Sequence, residues 1–234
     1  MKMNQNHRRG FTLVELLVVI VIIASLAGLT APMVIRQRKK ADQTEAVNNS
    51  RQVGLAMFEF ETEYGRFPDS TTVSQITDAG LGTGLTMTGT DANAYFRQLI
   101  GAGFTQSETM FYVKTPQTSK PDGNINGAAA LAAGEVGFGY ILRNNVGLST
   151  AGNPARPYVV TPLAASGTDT FNPDPFDGKA VVLRIDNSAT SLQINPTSRQ
   201  VTLSPGNTLL STGVNTVWGD TGGTPAISRP IPRS

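Results

Sequence analysis

The chain opens with an abrupt change from polar to apolar residues. Residues 1–10 read MKMNQNHRRG, and residues 11–35 read FTLVELLVVIVIIASLAGLTAPMVI. From Leu16 to Ile35 there is no charged side chain. A helix rises about 1.5 Å per residue, so this stretch would be roughly 30 Å long, the thickness of a bilayer's hydrocarbon core. The pattern predicts a membrane-spanning helix over residues 11–35.

The apolar positions that follow have the period of a helix. Five of them recur at steps of three and four: Val53, Met57, Phe60, Tyr64 and Phe67. Gly65 and Pro68 are typical of a helix end. We therefore predict one long helix from near Phe11 to about Tyr64. Its amphipathic upper half, in residues 36–67, is predicted to pack an aromatic face against the domain that follows, which we call the head.

Beyond residue 67 the pattern changes to short runs between turn residues. Asp91–Ile100 predicts a short capped helix, and residues 70–92 predict a loop. Strands are predicted at Met110–Thr115, Gly137–Arg143, Tyr158–Leu163, Lys179–Asp186, Gln200–Leu203 and Thr216–Trp218. These elements indicate an α+β head over 68–218, with an antiparallel sheet packed on the upper helix, and a flexible tail over 219–234.

Composition excludes several kinds of chemistry. The chain has no cysteine, and its single histidine is His7. If residues 1–10 are removed, the chain has neither histidine nor cysteine. Imidazole bases, thiol nucleophiles and the usual zinc sites are then all excluded. An enzyme would then depend on carboxylates, Lys or Tyr, and no convincing carboxylate pair is present. We predict that the protein is not an enzyme, and a membrane-tethered carboxylate hydrolase is the weakest alternative.

The charge balance argues against nucleic acid as a partner. The whole chain has 19 basic and 17 acidic residues, a net charge of +2. Without Lys2, Arg8 and Arg9 the balance is 16 against 17, a net charge of −1. A basic cluster remains at 36–40, where Arg36, Arg38, Lys39 and Lys40 suit a headgroup-facing collar.

Three interpretations of the N-terminus compete. An ordinary signal peptide would be cut after the apolar run, for example at Ser25-Leu26-Ala27, and Arg8-Arg9 also fits a twin-arginine export signal. The third interpretation is a leader cut before the apolar run, which then stays in the protein. Glu15 favours the third, because a carboxylate at the edge of a membrane segment is costly without a partner. Cleavage after Gly10 would create a partner, the new amine of Phe11.

The stretch GFTLVE, from Gly10 to Glu15, resembles the recognition motif of type IV prepilins and of the pseudopilins of type II secretion systems. The resemblance implies cleavage between Gly10 and Phe11, N-methylation of Phe11, and a role for Glu15 in assembly. It also implies a helix kink at Pro32, which the family commonly has at this distance from the cut. The enzyme implied is a prepilin peptidase and methyltransferase that works on the cytoplasmic side.

Two further stretches, IRQRKKADQTEA and EFETEYGRFPDS, resemble the major, G-type pseudopilin of type II secretion. The resemblance covers about the first 70 residues and implies a pilin-like fold. It implies a structural filament subunit, single-pass in the bacterial inner membrane, with its head in the periplasm. The implied partners are other copies, other pseudopilins, the inner-membrane assembly platform and the lipid bilayer. The alternative is a minor pilin-like binding module whose head contacts a surface, cargo or DNA.

G-type pseudopilins also hold calcium in a C-terminal loop. The oxygen ligands to try in this chain are Asp174, Asp177, Asp186 and Asp220. None forms an EF-hand-like spacing, and turn or helix-cap roles are favoured. We therefore assign no metal site, and calcium in the head is the one cofactor that the resemblance brings into consideration.

Overall fold

The computed structural model describes residues 11–233, apart from the side chains of residues 29–32. Contacts divide the chain into two units, one ending at Arg38 and the other beginning at Lys39. Helix α1, Leu13–Tyr64, contains 52 residues and contributes to both units. This confirms the prediction of one long N-terminal helix. The helix is assigned without a break at Pro32, whose side chain is outside the described part, so the kink stays a prediction.

In the second unit, α1 ends where the turn residues predicted it would. The backbone of Gly65 has φ +78°, and its N–H donates to the Glu61 carbonyl at 2.7 Å. A positive φ at the residue that follows a helix is favourable for glycine and costly for residues with a Cβ. The chain therefore leaves the helix at Gly65 and turns toward Phe67 and Pro68, which are both buried.

The inner face of upper α1 forms part of the head's core. Four of the five predicted stripe residues are fully buried, and Tyr64 is half-buried. The Phe60 ring lies 4.5 Å from that of Tyr64 and 5.7 Å from that of Phe104, centroid to centroid. Such aromatic pairs add to the stabilisation from burial itself. The prediction of an aromatic core face is confirmed.

The head contains an antiparallel sheet of five strands in the order β4-β3-β2-β1-β7. Its strands are β1 Gly139–Arg143, β2 Pro157–Thr161, β3 Lys179–Arg184, β4 Ala189–Gln193 and β7 Pro225–Ser228. A separate hairpin pairs β5, Thr202–Ser204, with β6, Asn207–Thr208. With α1 this gives the predicted α+β fold, which is confirmed.

Two short helices precede the sheet: α2, Thr72–Asp78, and α3, Ala92–Gly101. The cap predicted for α3 is present, since the Asp91 carboxylate accepts the Ala94 N–H at 2.9 Å. The prediction of a loop over 70–92 is wrong in part, because α2 begins there. The buried carboxylate of Asp69 accepts the backbone N–H groups of Thr71 and Thr72, and these bonds start the helix.

Two predicted strands are absent from the described residues. The segment Met110–Thr115 begins with a 3-10 turn, Thr109–Phe111, and continues as irregular backbone. A side chain of α1 accounts for this, because the Asn49 amide donates to the Tyr112 carbonyl at 3.0 Å and occupies an acceptor that a strand would need. The segment 216–218 is a turn that buries Trp218, whose indole N–H donates to the Leu209 carbonyl at 2.8 Å.

The last segment of the chain is part of the sheet, so the prediction of a flexible tail over 219–234 is wrong for most of its length. Strand β7 pairs antiparallel with β1, with Ile227 opposite Ile141. Further along, the Ile231 N–H donates to the side-chain oxygen of Asn93 at 2.9 Å. These partners lie 86 and 138 residues away along the chain, so the local sequence pattern does not predict the contacts.

Candidate functional site: the exposed N-terminal helix

The candidate site begins at the first described residue. Gly10, the residue before the predicted cleavage point, is outside the described residues. Phe11 and Thr12 precede helix α1, and Phe11 is 83% exposed. The residue predicted to carry the new amine is therefore accessible at the start of the helix.

Glu15 and Thr12 form a reciprocal cap at the start of α1. A carboxylate oxygen of Glu15 accepts the Thr12 N–H at 2.9 Å and the Thr12 hydroxyl at 2.7 Å. In return, the Thr12 hydroxyl oxygen accepts the Glu15 N–H at 3.3 Å. This is the capping box, which satisfies N–H groups that have no partner within the helix. Thr12 was not among the predicted site residues, although the spacing T-x-x-E is visible in the sequence.

The helix that follows presents apolar side chains to its surroundings on every side. An 18-residue window has a mean hydropathy of 2.6, and none of it is buried within the protein. By length and composition this helix is able to cross a membrane. A large side chain left in water forgoes about 1.5–3 kcal/mol of burial free energy. Lipid or other apolar helices are surroundings in which this surface would recover that free energy.

The basic collar at 36–40 follows the apolar run. Lys39 is half-buried, and Arg36, Arg38 and Lys40 are exposed. Among the described residues, none of the four forms an ion pair; the nearest acidic residue in sequence, Asp42, pairs with Lys114 at 3.1 Å. Four cations without an ion pair, directly after the apolar run of α1, are suited to a layer of lipid headgroups.

The four aspartates considered for calcium do not come together in the described part of the chain. The Asp186 carboxylate accepts the Ser188 N–H at 2.9 Å, and Asp177 occupies a turn position with φ +52°. These are the turn roles that the sequence favoured. The assignment of no metal site to the head stays a prediction.

The structure instead brings together Glu108, Asp122 and Glu135, whose carboxylate oxygens lie within 4.8 Å of one another. The two oxygens of Glu108 accept the Leu131 N–H at 2.7 Å and the Gly123 N–H at 2.9 Å. Burial, helped by the charges of Glu135 and Asp122, raises the pKa of Glu108 above its ordinary value. Three oxygen donors of this kind have the chemistry to hold a hard cation.

A sequence signal for this acidic group exists and was missed. Residues 122–127 read D-G-N-I-N-G, the first half of an EF-hand loop, and Gly127 has φ +58°. Ala133 stands where the pattern expects its final glutamate. Glu108 and Glu135 each accept backbone N–H groups through both carboxylate oxygens. These hydrogen bonds hold the loop between α3 and β1 in its conformation.

Comparison with known proteins agrees with the geometry of the N-terminal segment. The family description "Prokaryotic N-terminal methylation motif" matches residues 5–31, which include the capping residues and most of the apolar run. Type II secretion system core protein G of Pectobacterium carotovorum is 36% identical over 64 residues, or 27% of this chain and 41% of that protein. The protein of the same name from Aeromonas hydrophila is 36% identical over 66 residues, or 28% and 46%.

The N-terminal segment of the chain is thus similar to type II secretion core proteins and matches the methylation motif. Its likeness extends to a type IV major pilin protein of Myxococcus xanthus, which is 38% identical over 63 residues, or 27% of this chain and 29% of the relative. The chain thus spans less than half the length of each of these three relatives. No solved structure matches it. The similarity therefore lies in the N-terminal segment, and the head is described by its own structure alone.

Proposed function

We propose that the protein is a structural subunit of a pilus-like filament of the type II secretion pseudopilus kind. The observation that carries the proposal is a single acidic residue, Glu15, at the start of a helix that contains an 18-residue apolar window with no buried residue. Covering that surface with copies of the same helix yields a bundle, and the bundle is the core of a filament. The matches to core protein G and to a major pilin protein support this choice.

Processing prepares the subunit for that bundle. A prepilin peptidase and methyltransferase cuts between Gly10 and Phe11 and methylates the new amine of Phe11. Before assembly, Glu15 is occupied by Thr12 of its own chain. In the bundle, Glu15 faces the Phe11 amine of a neighbouring copy, in a region with few other charges. A charge pair in surroundings of low dielectric is considerably stronger than one in water.

The membrane arrangement follows from the site of processing. The leader is cut on the cytoplasmic side of the bacterial inner membrane, α1 crosses the bilayer once, and the head lies in the periplasm. The collar at 36–40 then meets the outer headgroups of that membrane. An assembly platform in the inner membrane and other pseudopilins complete the set of partners. The proposal assigns no enzymatic activity to the chain.

N-terminal mass spectrometry of the membrane-bound protein tests the processing step. We expect a chain that starts at Phe11 and carries one additional methyl group. A chain that starts near Gly28 would contradict the proposal and indicate an ordinary signal peptide. A chain that retains residues 1–10 would equally contradict it, because the amine of Phe11 would not exist.

Two substitutions of Glu15 separate charge pairing from helix capping. Glutamine is able to form the capping box but carries no charge, whereas alanine loses both. We expect Glu15→Gln and Glu15→Ala to be inserted and cleaved normally and to form no filaments visible by electron microscopy. Glu63→Gln, an exposed position on upper α1, is the matched control and should assemble as the wild type does. Normal filaments from Glu15→Gln would leave capping as the sole role of Glu15.

A second candidate is a minor pilin-like subunit whose head binds a surface, cargo or DNA. The observation that favours it is the size of the unmatched head, since the three relatives described above cover no more than 28% of the chain. A salt-dependent shift of DNA by the full chain in detergent would support DNA binding. The net charge of −1 predicted after processing argues for a negative result.

A further inference from the structure

A cleft in the head contains two arginines that the filament proposal does not use. Arg143 ends strand β1, and Arg156 directly precedes strand β2. Between them the chain forms the loop 144–155, and the side of the cleft is completed by Gly222. The cleft is open to solvent and has a volume of ≈ 490 Å³. All of these residues belong to the second unit.

The guanidinium of Arg143 is held in place by backbone carbonyls. Its Nε donates to the Gly223 carbonyl at 3.1 Å, and its Nη2 donates to the carbonyls of Trp218, at 2.8 Å, and Thr221. A Cβ at Gly222 would lie 2.9 Å from the Arg143 Cζ, so the backbone approaches the guanidinium plane as closely as only glycine permits. The Nη1 group has no hydrogen-bond partner among the described residues.

Arg156 is fixed in a similar way. Its Nε donates to the Val217 carbonyl at 3.0 Å, and its Cζ lies 5.9 Å from the centre of the Trp218 ring. The Nη1 of Arg156 lies close to Gly152, where an added Cβ would be 3.0 Å away. Both Nη groups of Arg156 lack a described hydrogen-bond partner. The carbonyl bond and the Trp218 ring thus orient the guanidinium while its outer N–H groups stay available.

No carboxylate neutralises the pair among the described residues, where the two ion pairs are Arg66–Asp69 and Lys114–Asp42. Burial, together with the nearby charge of Arg143, lowers the pKa of Arg156 below its ordinary value. The ordinary value for arginine is so high that Arg156 remains charged at neutral pH. Two fixed positive charges therefore share one open cleft without a counter-charge, an arrangement that an incoming anion stabilises.

We propose that the cleft between Arg143 and Arg156 binds an oxyanion, namely a carboxylate or phosphate group. Guanidinium groups match the planar, two-oxygen edge of these anions, and charge-assisted bonds of this kind are about twice as strong as neutral ones. Because the carbonyls already hold both arginines, little side-chain freedom is lost on binding. The feature that the cleft recognises is the oxyanion group itself, and phosphate and acetate are the probes that separate the two chemistries. The proposal stands independently of filament assembly.

The test is a titration of the full-length chain in detergent micelles, followed by amide NMR spectra. The probes are inorganic phosphate and acetate, with sodium chloride at matched ionic strength as the reference. We expect saturable shifts of the Gly152 and Gly222 amides with phosphate, with acetate, or with both, but not with chloride. A response to phosphate alone identifies a phosphate ligand, and a response to acetate identifies a carboxylate one.

Two variants examine the cleft itself. Arg156→Gln should weaken binding at least tenfold, and Arg199→Gln, an exposed arginine outside the cleft, should leave it unchanged. Because Arg156 also contacts Val217 and Trp218, Ala151→Glu provides a variant that keeps both guanidiniums. Ala151 is exposed and lines the cleft, so a carboxylate there should compete with the probe and weaken binding by a similar factor. Equal shifts in chloride, or unchanged binding in Ala151→Glu, would overturn the proposal.

Discussion

Asp69 joins three segments of the head, and its removal should destabilise the head strongly. Its side chain is fully buried just beyond the end of α1. One carboxylate oxygen accepts the N–H of Thr71 at 2.7 Å and of Thr72 at 3.1 Å, and the other accepts the Gly147 N–H at 3.0 Å. The segment that follows α1, the start of helix α2 and the loop after β1 thus share one carboxylate.

The magnitude follows from those bonds. A hydrogen bond to a charged group contributes about 1.5–3 kcal/mol, and a buried donor left without a partner costs about 1–3 kcal/mol. Bonds that share an acceptor are not additive. We therefore expect Asp69→Ala to lower the free energy of unfolding by about 3–5 kcal/mol. Asp69→Asn should cost about 1–3 kcal/mol, since an amide has one oxygen acceptor in place of two.

The same carboxylate should make stability depend on pH. Burial alone would raise the pKa of Asp69, but the hydrogen bonds from Thr71, Gly147 and Thr72 outweigh it, and the pKa lies below its ordinary value. A depressed pKa in the folded state gives stability that is present above the unfolded pKa, about 3.9, and is lost as pH falls through the folded pKa. Asp69→Asn should remove that part of the acid sensitivity.

Trp218 provides the assay, because it is the only tryptophan in the chain and is fully buried. Its fluorescence during urea unfolding of the full chain in micelles reports on the head at each pH. Asp78→Ala, an exposed carboxylate at the end of α2, is the matched control and should change stability by less than about 0.5 kcal/mol. A loss below 1 kcal/mol in Asp69→Ala would refute this account of the carboxylate.

Three further predictions concern other parts of the chain. Thr12→Val should destabilise the first turn of α1 by about 1 kcal/mol, measured as faster amide exchange, whereas Thr12→Ser should restore the wild-type rate. Gly54→Ala should cost about 1–3 kcal/mol of head stability in urea, because its Cβ would lie 2.1 Å from the Asn187 Oδ1; the exposed neighbour Leu55→Ala should cost little. Deletion of residues 225–233 should expose the edge of β1 and make the head sensitive to limited proteolysis at native pH, and an unchanged digestion pattern would contradict the role of β7.

The sequence predicted those elements whose causes are local. The period of the apolar positions predicted α1, the glycine at residue 65 predicted its end, and the Asp91 carboxylate predicted the start of α3. In each case the deciding residues lie within a few positions of the feature. This explains why these predictions were confirmed to within a few residues.

The missed features have causes that are distant in the chain. Helix α2 starts on Asp69, which is positioned by the Gly147 N–H 78 residues later. Strand β7 exists because β1 offers it an unpaired edge. The Met110–Thr115 segment has strand-like residues, but the Asn49 amide on α1 binds the Tyr112 carbonyl. Tertiary partners of this kind override local preference, and a single sequence does not reveal them.

The candidate site divides in the same way. Glu15 and the apolar run were visible in the sequence because a membrane helix is a local, compositional feature, and the T-x-x-E spacing made the capping residue Thr12 predictable too. The cleft between Arg143 and Arg156 was not predictable, since it depends on carbonyls of residues 217–223 that fold back onto both arginines. The acidic group of Glu108, Asp122 and Glu135 was predictable in part. The loop at 122–127 has a recognisable sequence pattern, but Glu108 precedes that loop and is not part of the pattern.

The two halves of the molecule therefore respond to different constraints. The 18-residue apolar window of α1 has no buried residue, and in the proposed filament its sequence is matched to lipid and to other copies of itself. The head buries its own aromatic core and does not need the membrane segment to cover it. In the assembly that we propose, contacts between copies would constrain the first half of α1, while the head is able to diverge as long as its core is filled. Relatives that match only about a quarter of the chain are the outcome expected from that division.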